Sequence, residues 1–254
     1  MQRLDRKRRK TLRSAASEPG RRVAIKIIEH IAEMQSMAET LRCGGHRIGF
    51  VPTMGFLHEG HLSLMRIARE VTDRLVVSIF VNPAQFGPNE DYGTYPRDLN
   101  RDLELCRREQ ADVVFTPTAE ALYPEGYQTY VSLEHLPQHL CGLSRPVFFT
   151  GVATVVTKLF HIVKPHVAVF GEKDYQQLLV IRRMVRDMNL DIEILGGPIV
   201  RESDGLAMSS RNAYLTPELR ETALGLSRSL QHAAALVARG FKKPIRSAEK
   251  PRPS

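Results

Sequence analysis

The sequence predicts an α/β fold built on a doubly wound parallel sheet, and three observations carry that reading. Apolar, β-branched runs such as Leu75–Val81 (LVVSIFV) and Pro165–Phe170 (PHVAVF) alternate with segments of helical period. Runs that are apolar throughout suit strands covered on both faces, as parallel strands are. Phe50–Leu64 (FVPTMGFLHEGHLSL) passes from a short strand through a loop with two glycines into a helix. Strands alternating with helices imply right-handed crossovers, and ligands of such sheets bind beyond the carboxyl ends of the strands.

In order, folding is expected from Val23. Ile27, Ile28, Ile31, Met34, Met37, Ala38 and Leu41 fall on one helical face, and Gly44-Gly45 end that helix. Strand Ile48–Val51 leads through the glycine loop into a helix over 61–71, with Leu62, Leu64, Met65, Ile67, Ala68 and Val71 spaced for burial. Strand Leu75–Val81 stops at Asn82-Pro83, and a long loop follows to Pro96. Loops of that length in compact domains tend to be functional. A helix over Asp98–Glu109 and a strand over Asp112–Phe115 come next. A Gly- and Pro-containing loop is expected over Leu143–Gly151, then a helix over Val152–Val163 and the strand Pro165–Phe170. Tyr175–Met188 is helical, and Ile192–Leu195 and Ile199-Val200 are strand-like. The rule for parallel sheets gathers four loops at one edge, namely 52–61, 82–96, 171–177 and 201–211.

Composition bounds the function. A chain of 254 residues with 43% hydrophobic residues buries one large core or two smaller ones. It holds no run of about 18 apolar residues, so no transmembrane helix is expected. No charged segment precedes an apolar stretch, so no secretory leader is expected. Cys43, Cys106 and Cys141 are scattered and fit no metal spacing, which suits reduced thiols in a cytoplasmic protein. The formal charge of +8 belongs to the ends: nine Lys or Arg against two acids in 1–22, six against one in 239–254. The stretch 23–238 carries a net −4. Both ends lack apolar periodicity and read as basic disordered tails, 1–22 and 241–254. They leave open a plain solvated role or non-specific contact with RNA or membrane, and no specific nucleic-acid partner or membrane is expected. Met34 and Met37 leave the true start open.

The loops carry the chemistry. The strand–loop–helix junction offers free N–H groups and the positive end of a helix dipole to an anion, which suits a polyphosphate. It supplies Thr53, Met54, His58 and His61. His58-Glu59-Gly60-His61 has its histidines three apart, whereas a zinc-protease HExxH places them four apart, which argues against zinc. The metal assignment stays unknown, and two solvated histidines remain the plain alternative. Asn82 and Gln85 are neutral amides suited to a polar uncharged group or a carboxylate. Lys173 at a strand end suits phosphate, Asp174 suits ribose or magnesium, and Gln177 lies one turn further on. An ordinary helix start, with Asp174 as its cap, explains the same residues. Met208-Ser209-Ser210-Arg211 suits phosphate oxygens or, equally, a helix N-cap. No GxxxxGK[ST] phosphate loop is found, and no Ser-His-Asp order or Cys-His pair stands out.

VPTMGFLHEGHLSLMR, SIFVNPAQFGPNEDYGTYPRD, FGEKDYQQLLVIRRMVRDMN and VRESDGLAMSSRNAYL resemble, in that order, the pantoate–β-alanine ligases, the AMP-forming pantothenate synthetases. That family belongs to the nucleotidyltransferases with a His-x-Gly-His signature. The resemblance runs from about residue 23 to about 230 and implies a Rossmann-like ATP- and pantoate-binding domain over 23–200. It implies formation of a pantoyl adenylate from ATP and (R)-pantoate, then attack by β-alanine, releasing AMP and pyrophosphate in pantothenate and coenzyme A biosynthesis. Met54, Gly55, Phe56, Leu57, His58, Glu59, Gly60 and His61 are then expected at ATP, with His61 as the acid. His58 and Lys173 hold phosphate charge, and Ser209, Ser210 and Arg211 close over it beside Met208. Gly171, Glu172, Lys173, Asp174 and Val200 line the nucleotide, Gln85 and Gln177 hold pantoate with Asn82 nearby, and magnesium accompanies the triphosphate. The resemblance also implies a cytoplasmic homodimer.

Two departures are expected to matter. The family's RPGHFRGV reads RPVFFTGV here, so Phe148 and Thr150 replace a histidine and an arginine. The family's small C-terminal domain is represented by 201–240 alone, a truncated lid, so adenylation is expected to outlast ligation. A catalytically impaired nucleotide-binding paralogue is the alternative, and another adenylyl- or cytidylyltransferase the third reading.

Overall fold

The computed structural model describes residues 25–241, so the expected tails, 1–22 and 241–254, lie outside the described residues except for Phe241. Six parallel strands form one sheet in the order β1-β4-β3-β2-β5-β6. They are β1 (Lys26–Ile28), β2 (Ile48–Thr53), β3 (Arg74–Ile79), β4 (Val113–Phe115), β5 (Val167–Gly171) and β6 (Glu193–Gly197). The helices are α1 (Ile31–Cys43), α2 (Glu59–Val71), α3 (Leu99–Arg108), α4 (Ala119–Leu122), α5 (Cys141–Ser144), α6 (Phe148–Val163), α7 (Tyr175–Asp187) and α8 (Pro217–Ala238).

Alternation along each strand sends neighbouring side chains to opposite faces. Phe50, Val76, Val113 and Ala168 face α1, α6 and α7. Val51, Val77, Val114, Val167 and Val169 face α2 and α3. Both faces are covered, which is why the strands read as continuous apolar runs. The winding leaves β2 to one side through β3 and β5 to the other through β6, so the order reverses between β2 and β5. At that reversal the crevice opens beyond the strand ends. The fold is the expected Rossmann-like α/β sheet.

Three local expectations are corrected. Ile27 and Ile28 are not helical; they belong to β1, paired with Val114 and Phe115. Their burial alternates, Ile27 at 40% exposed and Ile28 at 1%, and α1 begins only after the extended His30. Ile27, Ile28 and Ile31 fit both periods, and pairing with β4 decides between them. Phe148–Gly151 is the first turn of α6, not the end of a loop. Gly151 sits inside the helix because a Cβ there would stand 2.2 Å from the Ala84 carbonyl oxygen. Its role is close backbone approach, not a turn. Ile199-Val200 is not a strand; β6 stops at Gly197, and Pro198, with no N–H to offer the ladder, follows. The remaining elements agree with the expectations to within a few residues at their ends.

Candidate active site

The loop after β2 is shaped by an acid on another helix. Gly55 and Phe56 take left-handed conformations, φ 82° and 47°. The carboxylate of Asp102, on α3, accepts the N–H groups of Phe56 and Leu57, each at 2.7 Å. Asp102 is 1% exposed, and its burial raises its pKa while those two N–H donors act against the rise. Leu57 plugs into the core and Phe56 lies under the Arg101 guanidinium, 5.2 Å from the ring centroid. The loop is thereby fixed just before its histidines.

His58 is the N-cap of α2, and the cap is reciprocal. His58 Nδ1 accepts the Gly60 N–H at 3.2 Å, and His61 Nδ1 accepts the His58 N–H at 3.3 Å. The rings lie 4.1 Å apart. An imidazole that accepts at Nδ1 carries its proton on Nε2. Both rings are therefore assigned as neutral Nε2–H donors. Burial first, then the Lys173 charge, lowers the pKa of His58 to about 4. Burial, His58 and Lys173 lower that of His61 to about 3. The assigned tautomers leave two N–H donors at a helix N-terminus, an arrangement that suits an anion.

Beyond β2 and β5 these histidines line one cleft of about 1330 Å³, counting its open mouth. Its lining includes the polar side chains of His58, His61, Lys173, Asp174, Ser209, Ser210 and Arg211, together with Val200 and Met208. It also includes the apolar side chains of Phe80, Phe148, Val152, Val155, Val156, Leu159 and Phe170 and the amides of Asn82, Gln85 and Gln177. Met54, Gly60 and Gly171 also line the cleft. Gly55, Phe56, Leu57, Glu59 and Glu172 do not. Glu59 pairs instead with Arg66 on the same helix.

Asp174 is not the side-chain cap of α7; its carboxylate lies 3.3 Å from the Lys173 ammonium. Ser209 does cap the short 3-10 turn Ser210–Tyr214, so that plainer reading of the serine cluster holds in part. Ser210 Oγ donates to the Phe56 carbonyl at 3.1 Å, tying this segment to the His loop. The Arg211 guanidinium is held by Asp91 at 2.8 and 2.9 Å. Arg145, which sequence reasoning did not single out, pairs with Glu90 of the same loop and stacks 3.9 Å from the Phe148 centroid. Tyr95 and Asp102 were likewise missed. For Asp102 there was a signal: an acid one turn before Cys106 on the buried face of an amphipathic helix. Arg145 and Tyr95 reach the cleft from loops and have no periodic signal.

Among the described residues, no group of three or more His, Cys, Asp or Glu side chains is placed to hold a metal ion, and no helix is long and apolar enough to cross a membrane. Asp174 is the one carboxylate of the described residues lining the cleft.

A parallel sheet with a His-x-Gly-His strand-to-helix junction at its reversal is the architecture of an α/β protein whose crevice suits an anionic ligand. The family model described as pantoate-beta-alanine ligase matches residues 26–252, and the chain belongs to that family. The match continues past residue 230, where the resemblance was expected to fade. The pantothenate synthetase of Syntrophobacter fumaroxidans is 67% identical over 216 residues, 85% of this chain and 76% of that protein. That of Geobacter sulfurreducens is 58% identical over 222 residues, 87% and 78% of the two. The crystal structure of pantothenate synthetase from Thermus thermophilus superposes with a TM-score of 0.81 at 49% identity, covering 85% of this chain and 77% of that one. The pantoate-beta-alanine ligase of Francisella tularensis, complexed with Beta-gamma ATP and Beta-alanine, gives 0.77 at 40% identity, covering 82% and 80%.

Proposed function

We infer that this chain is a pantoate–β-alanine ligase that condenses (R)-pantoate with β-alanine at the expense of ATP. The observation that carries this is one cleft at the sheet reversal whose lining combines cationic and donor residues with apolar side chains and three amides. Pantoate has a geminal dimethyl group, two hydroxyls and a carboxylate. The apolar wall suits its methyl groups, and Gln85 and Gln177 suit its oxygens. The triphosphate lies along His58, His61, Lys173 and the serines.

In the first step a carboxylate oxygen of pantoate attacks the α-phosphorus of ATP. The bond to the β-phosphate bridging oxygen breaks, and pyrophosphate leaves with the electron pair. The Nε2–H groups of His58 and His61 and the Lys173 ammonium stabilise the charge that grows on the phosphate oxygens. Asp102 holds the loop that carries the two histidines by accepting its Phe56 and Leu57 N–H groups. In the second step the β-alanine amine attacks the acyl carbon, AMP departs with the acyl–oxygen electron pair, and the amine loses a proton. Magnesium carried in on the triphosphate would need only one or two carboxylates besides phosphates, and Asp174 would supply one. Arg211 must exchange Asp91 for phosphate if it is to close over the nucleotide.

The assignment to a cytoplasmic homodimer in coenzyme A biosynthesis belongs to the same reading, and sedimentation of the purified chain tests the dimer. The activity is tested by incubating it with ATP, pantoate and β-alanine and measuring AMP and pantothenate together. Pantothenate that requires all three substrates supports the reading. AMP without pantothenate would reduce the function to adenylation, and nucleotide binding without AMP would mark an impaired paralogue.

A further inference from the structure

Asn82 is 1% exposed, and its amide is saturated from within the protein. Oδ1 accepts from the Tyr123 hydroxyl at 2.8 Å and from the Ala84 N–H at 3.3 Å. Nδ2 donates to the Gly151 carbonyl at 3.1 Å and to Gln85 Oε1 at 3.2 Å. Two of these partners cannot change role: a backbone N–H only donates and a backbone carbonyl only accepts. They decide which end of the Asn82 amide is oxygen. Its nitrogen therefore faces Gln85, and Gln85 must turn Oε1 toward it. The Gln85 nitrogen is left for the cleft, where its partner is the Met54 sulfur at 2.9 Å, a weak acceptor that a substrate oxygen can replace.

We propose that Tyr123 is a positioning residue of the acid subsite. Its hydroxyl, acting through Asn82, holds Gln85 with its N–H groups toward the cleft, so that the subsite selects an oxygen acceptor on the acid substrate. This rests on the function proposed above and adds a residue and a polarity to it.

Tyr123 is not among the cleft-lining residues; it stands behind Asn82 at the end of α4. Its ring is held edge-on to Tyr127 at 5.1 Å, which meets Tyr130 at 5.4 Å. The Lys158 ammonium lies 4.4 Å from the Tyr127 centroid and 5.7 Å from that of Tyr123. Burial and the neighbouring phenols push the Tyr123 pKa up, so the hydroxyl keeps its proton. The donor is thus fixed in place before substrate arrives. Without it, Asn82 Oδ1 keeps one weak donor, and Asn82 and Gln85 gain freedom that binding must remove. A rotated Gln85 would present its oxygen to a carboxylate and repel it.

The test is pantoate binding to the full chain by calorimetry, with a non-hydrolysable ATP analogue present, together with turnover. Tyr123→Phe keeps the ring and removes the hydroxyl. It is expected to weaken pantoate binding by roughly three- to tenfold, the scale of one lost hydrogen bond. The affinity for the ATP analogue and kcat should stay within about twofold, since neither depends on this contact. In a Gln85→Ala background, Tyr123→Phe should add nothing further. Gln85→Glu, which still accepts from Asn82 but cannot donate to substrate, should lose as much as Gln85→Ala, and it reads the polarity even where the Tyr123 variant folds poorly. Unchanged pantoate affinity in Tyr123→Phe, effects that multiply in the double variant, or normal binding by Gln85→Glu would each overturn the relay. If the wild type neither binds pantoate nor makes pantothenate, the proposed function falls and the relay with it.

Discussion

His58 and His61 show how one local motif sets both chemistry and stability. Each ring spends Nδ1 on a backbone N–H of the cap, which leaves Nε2–H for the ligand. If His61 acts mainly on charge that grows in the transition state, His61→Ala should lower kcat by about a hundredfold or more, with a smaller change in the ATP KM. Steady-state kinetics at saturating pantoate and β-alanine measure both. The same burial makes a prediction about acid. Both folded-state pKa values lie below 6.5, so the unfolded chain takes up protons that the folded one refuses. The stability they support is complete above pH 6.5 and is lost as the pH falls from there toward about 4 for His58 and about 3 for His61. The slope is roughly 1.36 kcal/mol per pH unit for each group. Urea melts from pH 7.5 to 4.5 should show a steeper loss for wild type than for the His58→Gln/His61→Gln variant. Parallel slopes would mean that the pair does not set the acid limb.

At the scale of elements, the proposed acid subsite rests on the close approach of α6 to the Pro83–Gln85 turn. A Cβ on Gly151 would stand 2.2 Å from the Ala84 carbonyl oxygen and 2.6 Å from the Gln85 nitrogen, both backbone atoms. Neither can move without shifting the turn that holds Asn82 and Gln85. Gly151→Ala should therefore destabilise by about 1–3 kcal/mol and raise the pantoate KM. Gly225, inside α8, has open space where a Cβ would go. Gly225→Ala should stabilise by about 0.5–1 kcal/mol through helix propensity and leave the KM unchanged. Denaturant midpoints and pantoate kinetics of the two variants provide the check, and equal effects would remove the close-approach argument.

For the whole molecule, the basic excess and the cleft are separate matters. Residues 1–22 carry +7 and 239–254 carry +5, while 23–238 carry a net −4. Deleting 1–22 should sharply reduce retention on a polyanion column and leave melting temperature and turnover almost unchanged, because that segment has little apolar surface to offset ordering. A fall in melting temperature of several degrees would show that it docks on the body. Within the body, residues 201–241 are tied to the His loop by Ser210 to Phe56 and to the 82–96 loop by Arg211 to Asp91 and Tyr214 to Thr94. We propose that this stretch covers the nucleotide as the C-terminal unit of the fold.

The sequence by itself determined the sheet class, the loops that meet at its edge and the family. Unbroken apolar strands, helical periods and the His-x-Gly-His junction are local patterns, each imposed by burial or by backbone geometry within a few residues. It also put most of the cleft-lining polar residues forward, because they sit in or just beyond the connections that follow strands. Only the tertiary structure decided that Ile27-Ile28 is an edge strand, since pairing with β4 lies more than eighty residues away. It alone decided that Gly151 serves contact and not a turn, and that Asp102 anchors the His loop from another helix. Protonation and amide polarity were decided there too. The histidines are neutral because they are buried together beside Lys173, and Gln85 faces the cleft with its nitrogen because Asn82 takes its oxygen. Such properties depend on atoms brought together from distant parts of the chain, and no spacing within one segment records them.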